Sequence, residues 1–342
     1  MTVKGCTATA NAHSLMQVKG IDGVLVEKCT VNSKNGANFN NSTNVTVDDC
    51  KFNVKGYALR FGESSGGSGA KEVYEVKNNT LKSECNDGDA VIILRGTADY
   101  STLTMTNNKI EGTLEIKNTA TGAKIVIDGV TAVFNGDSLK AALKANEDVI
   151  FINDITMEAT ESNGYGKTGI NVKNGQIVDG NGYKLTVSGA SATWDSAIGT
   201  TGGTIKNLTV AGAMRGIFMP GANADVYIEN VEFKNVVYTF NSDAGNTAYG
   251  VYLTDCKVNG WTSFSAVHKE VIFTNCSFGE GSGYKFCRPY NDAKFVNCEF
   301  VAGYQIDARG AVTLENCKLD GVVVTADNLA TLVANVDKVT LN

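Results

Sequence analysis

The sequence predicts an all-β fold, a parallel β-helix solenoid of about 14 rungs in two stacks with short capping helices. Three observations carry that prediction. The first is a recurring phrase of apolar, polar, Asn or Asp, Cys, polar, apolar. It reads Leu253-Thr254-Asp255-Cys256-Lys257-Val258, then Phe273-Thr274-Asn275-Cys276-Ser277-Phe278, Phe295-Val296-Asn297-Cys298-Glu299-Phe300 and Leu314-Glu315-Asn316-Cys317-Lys318-Leu319. The second is the period. The cysteines are 20, 22 and 19 residues apart, and a fixed step of about 20 residues carrying one strand phrase marks a solenoid. The third is the balance of 37 Gly against 2 Pro in 342 residues. Stacked strands joined by tight turns want that balance, because Gly supplies positive φ and Pro cannot donate to a sheet ladder.

The first stack covers residues 1–136. Its opening phrase is Val3-Lys4-Gly5-Cys6-Thr7-Ala8, and Cys29 and Cys50 hold the same place in the next two copies. Asn then replaces Cys, at Asn79 and Asn108, and a sixth copy reads Ile127-Asp128-Gly129-Val130-Thr131-Ala132. The steps are 23, 21, 29, 29 and 22 residues. The two long ones contain Gly62 to Gly69 and Asn86 to Asp89, which predict protruding loops. An Asn or Asp before the inward position suits a corner, because Asn tolerates the left-handed conformation. Turns stacked about 4.8 Å apart let such side chains bond along the stack, which would run roughly 65 Å over all the phrases. The chain opens inside a rung with no capping segment, which predicts a partner domain or subunit over that end.

The second stack covers residues 137–342. Its first segment, residues 137–147, breaks the strand pattern. It has an N-cap signal, then Leu139, Ala142 and Leu143 on one helical face, and a stop at Asn146. This predicts a cap helix over the open end of the stack. Weaker phrases follow at Ile152–Met157 and Val178–Tyr183, stronger ones at Ile205–Val210 and Ile228–Phe233, and then the four Cys copies. Most are followed by a second short strand, such as Gly216–Met219, Val237–Phe240 and Trp261–Phe264. Alternation puts Tyr284 with Phe286 on one face, and Tyr304 with Ile306, with Trp261 in the column of Tyr284 and Tyr304. Leu329, Leu332 and Val333 predict a helix within Thr325–Asn335, and residues 325–342 read as the C-terminal cap.

Seven of the nine cysteines sit at one place in the phrase, which predicts an inward ladder of small buried side chains. A disulfide framework is the alternative. No CxxC or Cys/His cluster is present and there are 2 His, so no metal site and no cofactor is expected. The Asn-Cys phrases resemble the asparagine ladder beside a stacked apolar column in the right-handed parallel β-helix superfamily, the pectate-lyase-like fold. The resemblance covers nearly the whole chain. It is also similar to β-helical repeats in adhesin-like surface proteins of gut bacteria and in phage fibres and spikes. It implies a right-handed coil and leaves function open, because one fold hosts many activities. A leucine-rich repeat is excluded by the absence of its Leu-x-x-Leu-x-Leu pattern.

The net charge of −6, the pI of about 5.1 and the lack of a basic run argue against a phosphate-binding surface, so no nucleic-acid partner is expected. No apolar stretch reaches about 18 residues, so no membrane insertion is expected. The opening residues lead into no apolar core of a secretory signal.

The resemblance implies polysaccharide lyases, with an acidic calcium cluster facing an Arg or Lys base, and hydrolases with Asp pairs. The best match here is Arg288-Pro289-Tyr290-Asn291-Asp292 with Asp307-Ala308-Arg309, one rung apart, with Arg215 further along that face. One reading is a groove in which Arg288, Tyr290, Asp307 and Arg309 hold an acidic glycan. In an enzyme, Asp292, Asp307, Arg288 and Arg309 would be the catalytic candidates. The other reading is a solvated face with local Arg–Asp pairs. Trp194 is the freer candidate for stacking on a sugar ring, while Trp261 reads equally as core. His13 and His268 have no nearby activated nucleophile and read as surface residues. Asp48-Asp49 reads as a corner, and Asn86–Asp89 lacks the length of an EF-hand loop.

The expectation is a non-catalytic, extracellular, cell-surface or virion-associated structural or adhesion protein. It would present one face to a polysaccharide or cell-surface glycan. The alternatives are a polysaccharide lyase or glycoside hydrolase, and an element of a larger assembly docked through the first rung.

Overall fold

The corner residue of each phrase sets the path of the chain. Asp49, Asn78, Asn107, Asn207, Asn230, Asp255, Asn275, Asn297 and Asn316 all have φ between 50° and 58°. Asn and Asp accept this left-handed conformation at lower cost than other non-Gly residues. Their side chains then bond along the stack. Asn297 Nδ2 donates to Asn275 Oδ1 (3.2 Å), and Asn275 Nδ2 donates to Asp255 Oδ1 (3.1 Å). Asn230 donates to Asn207 (3.0 Å), and Asn107 donates to Asn78 (2.9 Å). The computed structural model describes all residues except 11–13, 15, 64–71, 97–100, 112–115, 119–121, 222, 243–248 and 266–268. His13, His268 and most of the loop predicted at 62–69 therefore lie outside the described residues.

The fold is a parallel β-solenoid of about 13 turns, with 54% of residues in strands. It divides into two compact units, Met1–Val133 and Phe134–Asn342. In the first unit, rungs contribute one strand to each of three parallel sheets. The rung Asp22–Glu27, Thr30–Ser33 and Ala37–Asn40 stacks on Thr43–Asp48, Lys51–Val54 and Leu59–Phe61 in register. The sixth phrase does not begin a new rung. Asp128 (φ 49°) and Gly129 (φ 87°) turn Lys124–Ile127 back into antiparallel Val130–Val133, because Asp-Gly favours the tight hairpin turn.

The second unit begins with the helix Gly136–Lys144. Its cap is Asn135, outside the segment predicted for the helix: Asn135 Oδ1 accepts from Ser138 N, and the Ser138 hydroxyl accepts from Asn135 N. Leu139, Ala142 and Leu143 are its buried face, and Asn146 (φ 62°) follows its end. It packs on the strands Ile155–Glu158 and Lys167–Val172. Two long sheets then stack. One takes the phrases. The other runs Lys167–Val172, Ser196–Thr200, Arg215–Phe218, Tyr238–Ser242, Trp261–Phe264, Phe286–Pro289 and Gln305–Ile306, all parallel. At the C-terminal end the predicted helix is one turn, Leu329–Leu332. Val339–Leu341 adds a parallel strand beside Val312–Glu315. Among the described residues no helix is long and apolar enough to cross a membrane.

The interior repeats with the rung. Phe273 stacks on Phe295, and Phe278 on Phe300, each pair with ring centres 4.8 Å apart. That distance is the strand spacing of a sheet, about 4.8 Å. Cys256, Cys276, Cys298 and Cys317 form an inward column, all buried. Their thiols donate to carbonyls of the preceding rung, Cys298 Sγ to Phe273 O (3.5 Å) and Cys317 Sγ to Phe295 O (3.3 Å). All nine cysteines are free thiols, so the disulfide alternative is not realised. In the first unit Asn79 takes the Cys place. Its Nδ2 donates to Val47 O (3.0 Å) and its Oδ1 accepts from Cys50 N (2.9 Å), so the substituted amide is fully used.

Candidate functional site

Parallel stacking lines up every outward residue of one strand with that of the next, so a single outward position becomes a column. In the second long sheet of the Phe134–Asn342 unit, Arg215 pairs in register with Tyr238, and Tyr238 with Trp261. Thr262 pairs with Cys287 and Phe286 with Gln305, so the column continues Trp261, Phe286, Gln305. Rings and guanidinium groups stack along it. The Arg215 guanidinium lies 4.6 Å from the Trp194 ring centre and 4.4 Å from that of Tyr238. Tyr238 meets Trp261 at 5.5 Å, and Trp261 meets Phe286 edge-on at 4.9 Å. Tyr165, exposed in the turn before Lys167, extends the stripe against Trp194 at 5.8 Å. Arg288 closes the far end over Phe286 and Trp261, at 5.1 and 5.5 Å.

The stripe is half-exposed at Trp194, Tyr238, Trp261 and Phe286, while Arg215 is 2% exposed. A guanidinium held between two aromatic faces is stabilised by the ring quadrupoles, by about 2 kcal/mol when shielded from water. Arg215 Nε also donates to Thr193 O (2.7 Å), which anchors the loop carrying Trp194. Arg215 thus contacts both neighbouring rings and ties down the backbone next to Trp194.

The residues singled out from the sequence fall in three places. Arg288 and Trp194 belong to the stripe, at its two ends. Asp307 joins Arg288 and Arg309: its Oδ2 accepts from Arg288 Nε (3.2 Å), Arg309 Nε (3.1 Å) and Arg309 Nη2 (2.9 Å). Asn335 Nδ2 donates to its other oxygen (3.2 Å). Asp292 and Tyr290 lie apart from this knot. Asp292 Oδ1 accepts from Ala311 N (3.4 Å), and Tyr290 is exposed past the end of its strand, outside the ring contacts of the stripe. Among the described residues no cluster of His, Cys, Asp or Glu is arranged to hold a metal ion.

The register corrects one expectation. Tyr304 and Ile306 do share a face, which is buried, but Phe286 is on the opposite, outward face. Phe286 aligns with Gln305, whereas Ile306 aligns with buried Cys287. Tyr304 is fully buried and Tyr284 is 46% exposed. Trp261 therefore stands in the outward column with Tyr238 and Phe286, and not with Tyr284 and Tyr304. Compared with known proteins, the chain matches no family model, no curated protein and no solved structure.

Proposed function

We propose that this chain is a non-catalytic β-helical adhesion or structural protein, extracellular or virion-associated, whose aromatic–arginine stripe binds a glycan. The observation that carries this reading is the column Trp194, Arg215, Tyr238, Trp261, Phe286, with each ring packed on the next and its edge or face left to solvent. Sugar rings present apolar C–H faces that lie on aromatic faces, and hydroxyls that reach polar groups at the margin. A rung-spaced column of rings repeats at a step of about 4.8 Å, close to one sugar residue per rung. The arrangement fits an extended polysaccharide better than a small ligand in a closed pocket. The likeness of the phrases to the pectate-lyase-like superfamily and to adhesin-like and phage-fibre β-helices agrees with this assignment without naming the glycan.

Binding is favoured over cleavage because the carboxylate best placed for chemistry is already engaged. Both oxygens of Asp307 accept hydrogen bonds, from Arg288, Arg309 and Asn335, so neither is turned to a ligand on the stripe. The test is affinity electrophoresis against neutral and acidic polysaccharides, with product analysis by mass spectrometry. Retardation without shortened products is expected. Trp194→Ala and Trp261→Ala should each weaken binding by about tenfold, equivalent to about 1.4 kcal/mol. Shortened oligosaccharides abolished by Asp307→Asn would replace this reading with the lyase or hydrolase one.

A further inference from the structure

Beside the stripe the same unit carries a cleft of about 500 Å³ between the segment Glu232–Val237 and the loop Glu280–Tyr284, with Lys257 and Asn259 between them. That size suits a small ligand, for which pockets run about 300–1,000 Å³. The cleft leads into the stripe. Val237 immediately precedes Tyr238, Asn259 stands two residues before Trp261, and Tyr284 two residues before Phe286.

Its chemistry is specific in three respects. First, its charges cancel. Glu232 pairs with Lys234 (2.9 Å) and Lys257 (3.8 Å), and Glu280 adds a second carboxylate. Nothing there selects an anion. Second, one polar atom of a lining residue, Asn259 Oδ1, is buried without a hydrogen-bond partner. Orphaned polar groups of this kind are uncommon in folded proteins. A hydroxyl donor is the group that complements it. Third, Tyr284 is 46% exposed on a preset loop. Ser282 Oγ accepts from Tyr284 N (3.0 Å) and donates to Tyr284 O (3.2 Å), which fixes the backbone that carries the ring before any ligand arrives.

We infer that this cleft binds one or two neutral sugar residues, terminal to or branching from a chain laid along the stripe. The inference rests on the glycan-binding reading and adds to it a preference for uncharged sugars. Tyr284 stacks on the ring face, and Asn259 accepts from a hydroxyl.

The test is calorimetric titration of the whole chain with cellobiose, lactose, mannobiose and digalacturonate, and with the corresponding polymers. The variants are Tyr284→Ala, Asn259→Ala and Trp194→Ala, each checked by thermal melting. Tyr284 is exposed, so its truncation leaves the fold intact. The expected result is that a neutral disaccharide binds, that Tyr284→Ala and Asn259→Ala weaken it tenfold or more, and that Trp194→Ala affects only the polymer. Polymer binding lost in Trp194→Ala but untouched by Tyr284→Ala overturns the cleft and leaves the stripe standing. Preference for digalacturonate overturns the selection for neutral sugars. No binding by any of these probes overturns the cleft and the glycan-binding reading together.

Discussion

The Arg215 guanidinium lies 4.6 Å from the ring centre of Trp194 on one side, and on its other side it meets the Tyr238 ring one rung on. A charged group is thereby built into a wall of aromatic rings. Arg215→Met keeps length and apolar packing but removes both the charge and the bond from Nε to Thr193 O. Cation–π contact of a shielded guanidinium contributes up to about 2 kcal/mol, and a charged hydrogen bond about 1.5–3 kcal/mol. Allowing for the desolvation that Met avoids, the variant should lose about 2 kcal/mol in chemical denaturation. It should also release Trp194, seen as a red shift of its fluorescence. Unchanged stability and an unshifted spectrum would mean that Arg215 does not position the stripe.

Asn297 has φ 53°, and its Nδ2 donates to Asn275 one rung earlier. Backbone and side chain make separable contributions. Asn297→Gly keeps the conformation and loses only the ladder bond, worth about 0.5–1.5 kcal/mol. Asn297→Ala loses the bond and also places a Cβ in the left-handed region, at a further cost of about 1–2 kcal/mol. Gly should therefore be the more stable of the two by about 1 kcal/mol in urea denaturation. An alanine variant as stable as the glycine one would show that the corner is not set by its dihedral.

The corner is also where the sequence was most legible. A residue type with a backbone reason to be there, Asn275, Asn297 or Asn316, repeats at nearly fixed spacing, and the inward Cys follows it. Both are dictated by local geometry, so the phrase alone reveals them. The stripe was harder to read. Tyr238, Trp261 and Phe286 follow phrases whose corner loops differ in length, and alternation gives faces only within one strand. Which residue of Tyr284–Phe286 sits beside Trp261 depends on how the loop Glu280–Tyr284 is taken up. Only the sheet register fixes that. Tyr165 and Tyr238 carry no motif that marks them as site residues. Arg288 and Asp307 do lie on adjacent rungs, and the local Arg–Asp pairing that the second reading of this face expects is present between Asp307 and both Arg288 and Arg309.

Glu72 in the first unit is 3% exposed, and its carboxylate accepts from the Tyr74 hydroxyl. Burial pushes its pKa from 4.5 up to about 7. The folded state therefore holds the proton more tightly than the unfolded one. This contribution to stability is complete below pH 4.5, falls as pH rises, and is lost above about 7. The full shift corresponds to at most about 3 kcal/mol. Asp22 and Glu27, whose pKa values are lowered by Thr43 and Lys4 respectively, act in the opposite sense at lower pH. The informative quantity is thus the difference between wild type and Glu72→Gln. Glu72→Gln should gain relative stability between pH 5 and 8 in urea unfolding, about 2 kcal/mol in all. A difference that stays constant with pH would show that Glu72 is ionised in the folded protein.

The cysteine column makes a prediction about reactivity that separates packing from redox chemistry. Cys6 is exposed, Cys85 is partly exposed, and Cys29, Cys50, Cys256, Cys276, Cys287, Cys298 and Cys317 are buried. The thiolate is the reacting form, and burial pushes the Cys50 thiol up to about 11 and that of Cys287 well above its usual value. For these two, access and ionisation both oppose reaction in the folded state, and for the other buried thiols lack of access does so. With an aromatic disulfide reagent at pH 8, Cys6 should react at once and Cys85 more slowly. The seven buried thiols should appear only as the protein unfolds, with labelling rates that follow the global unfolding rate. After denaturation without reductant all nine should titrate. Fewer than nine would reveal disulfides. Rapid labelling of Cys276 or Cys298 in the native protein would show that the solenoid opens locally at those rungs, and that the phrase is less tightly stacked than its ladder of asparagines implies.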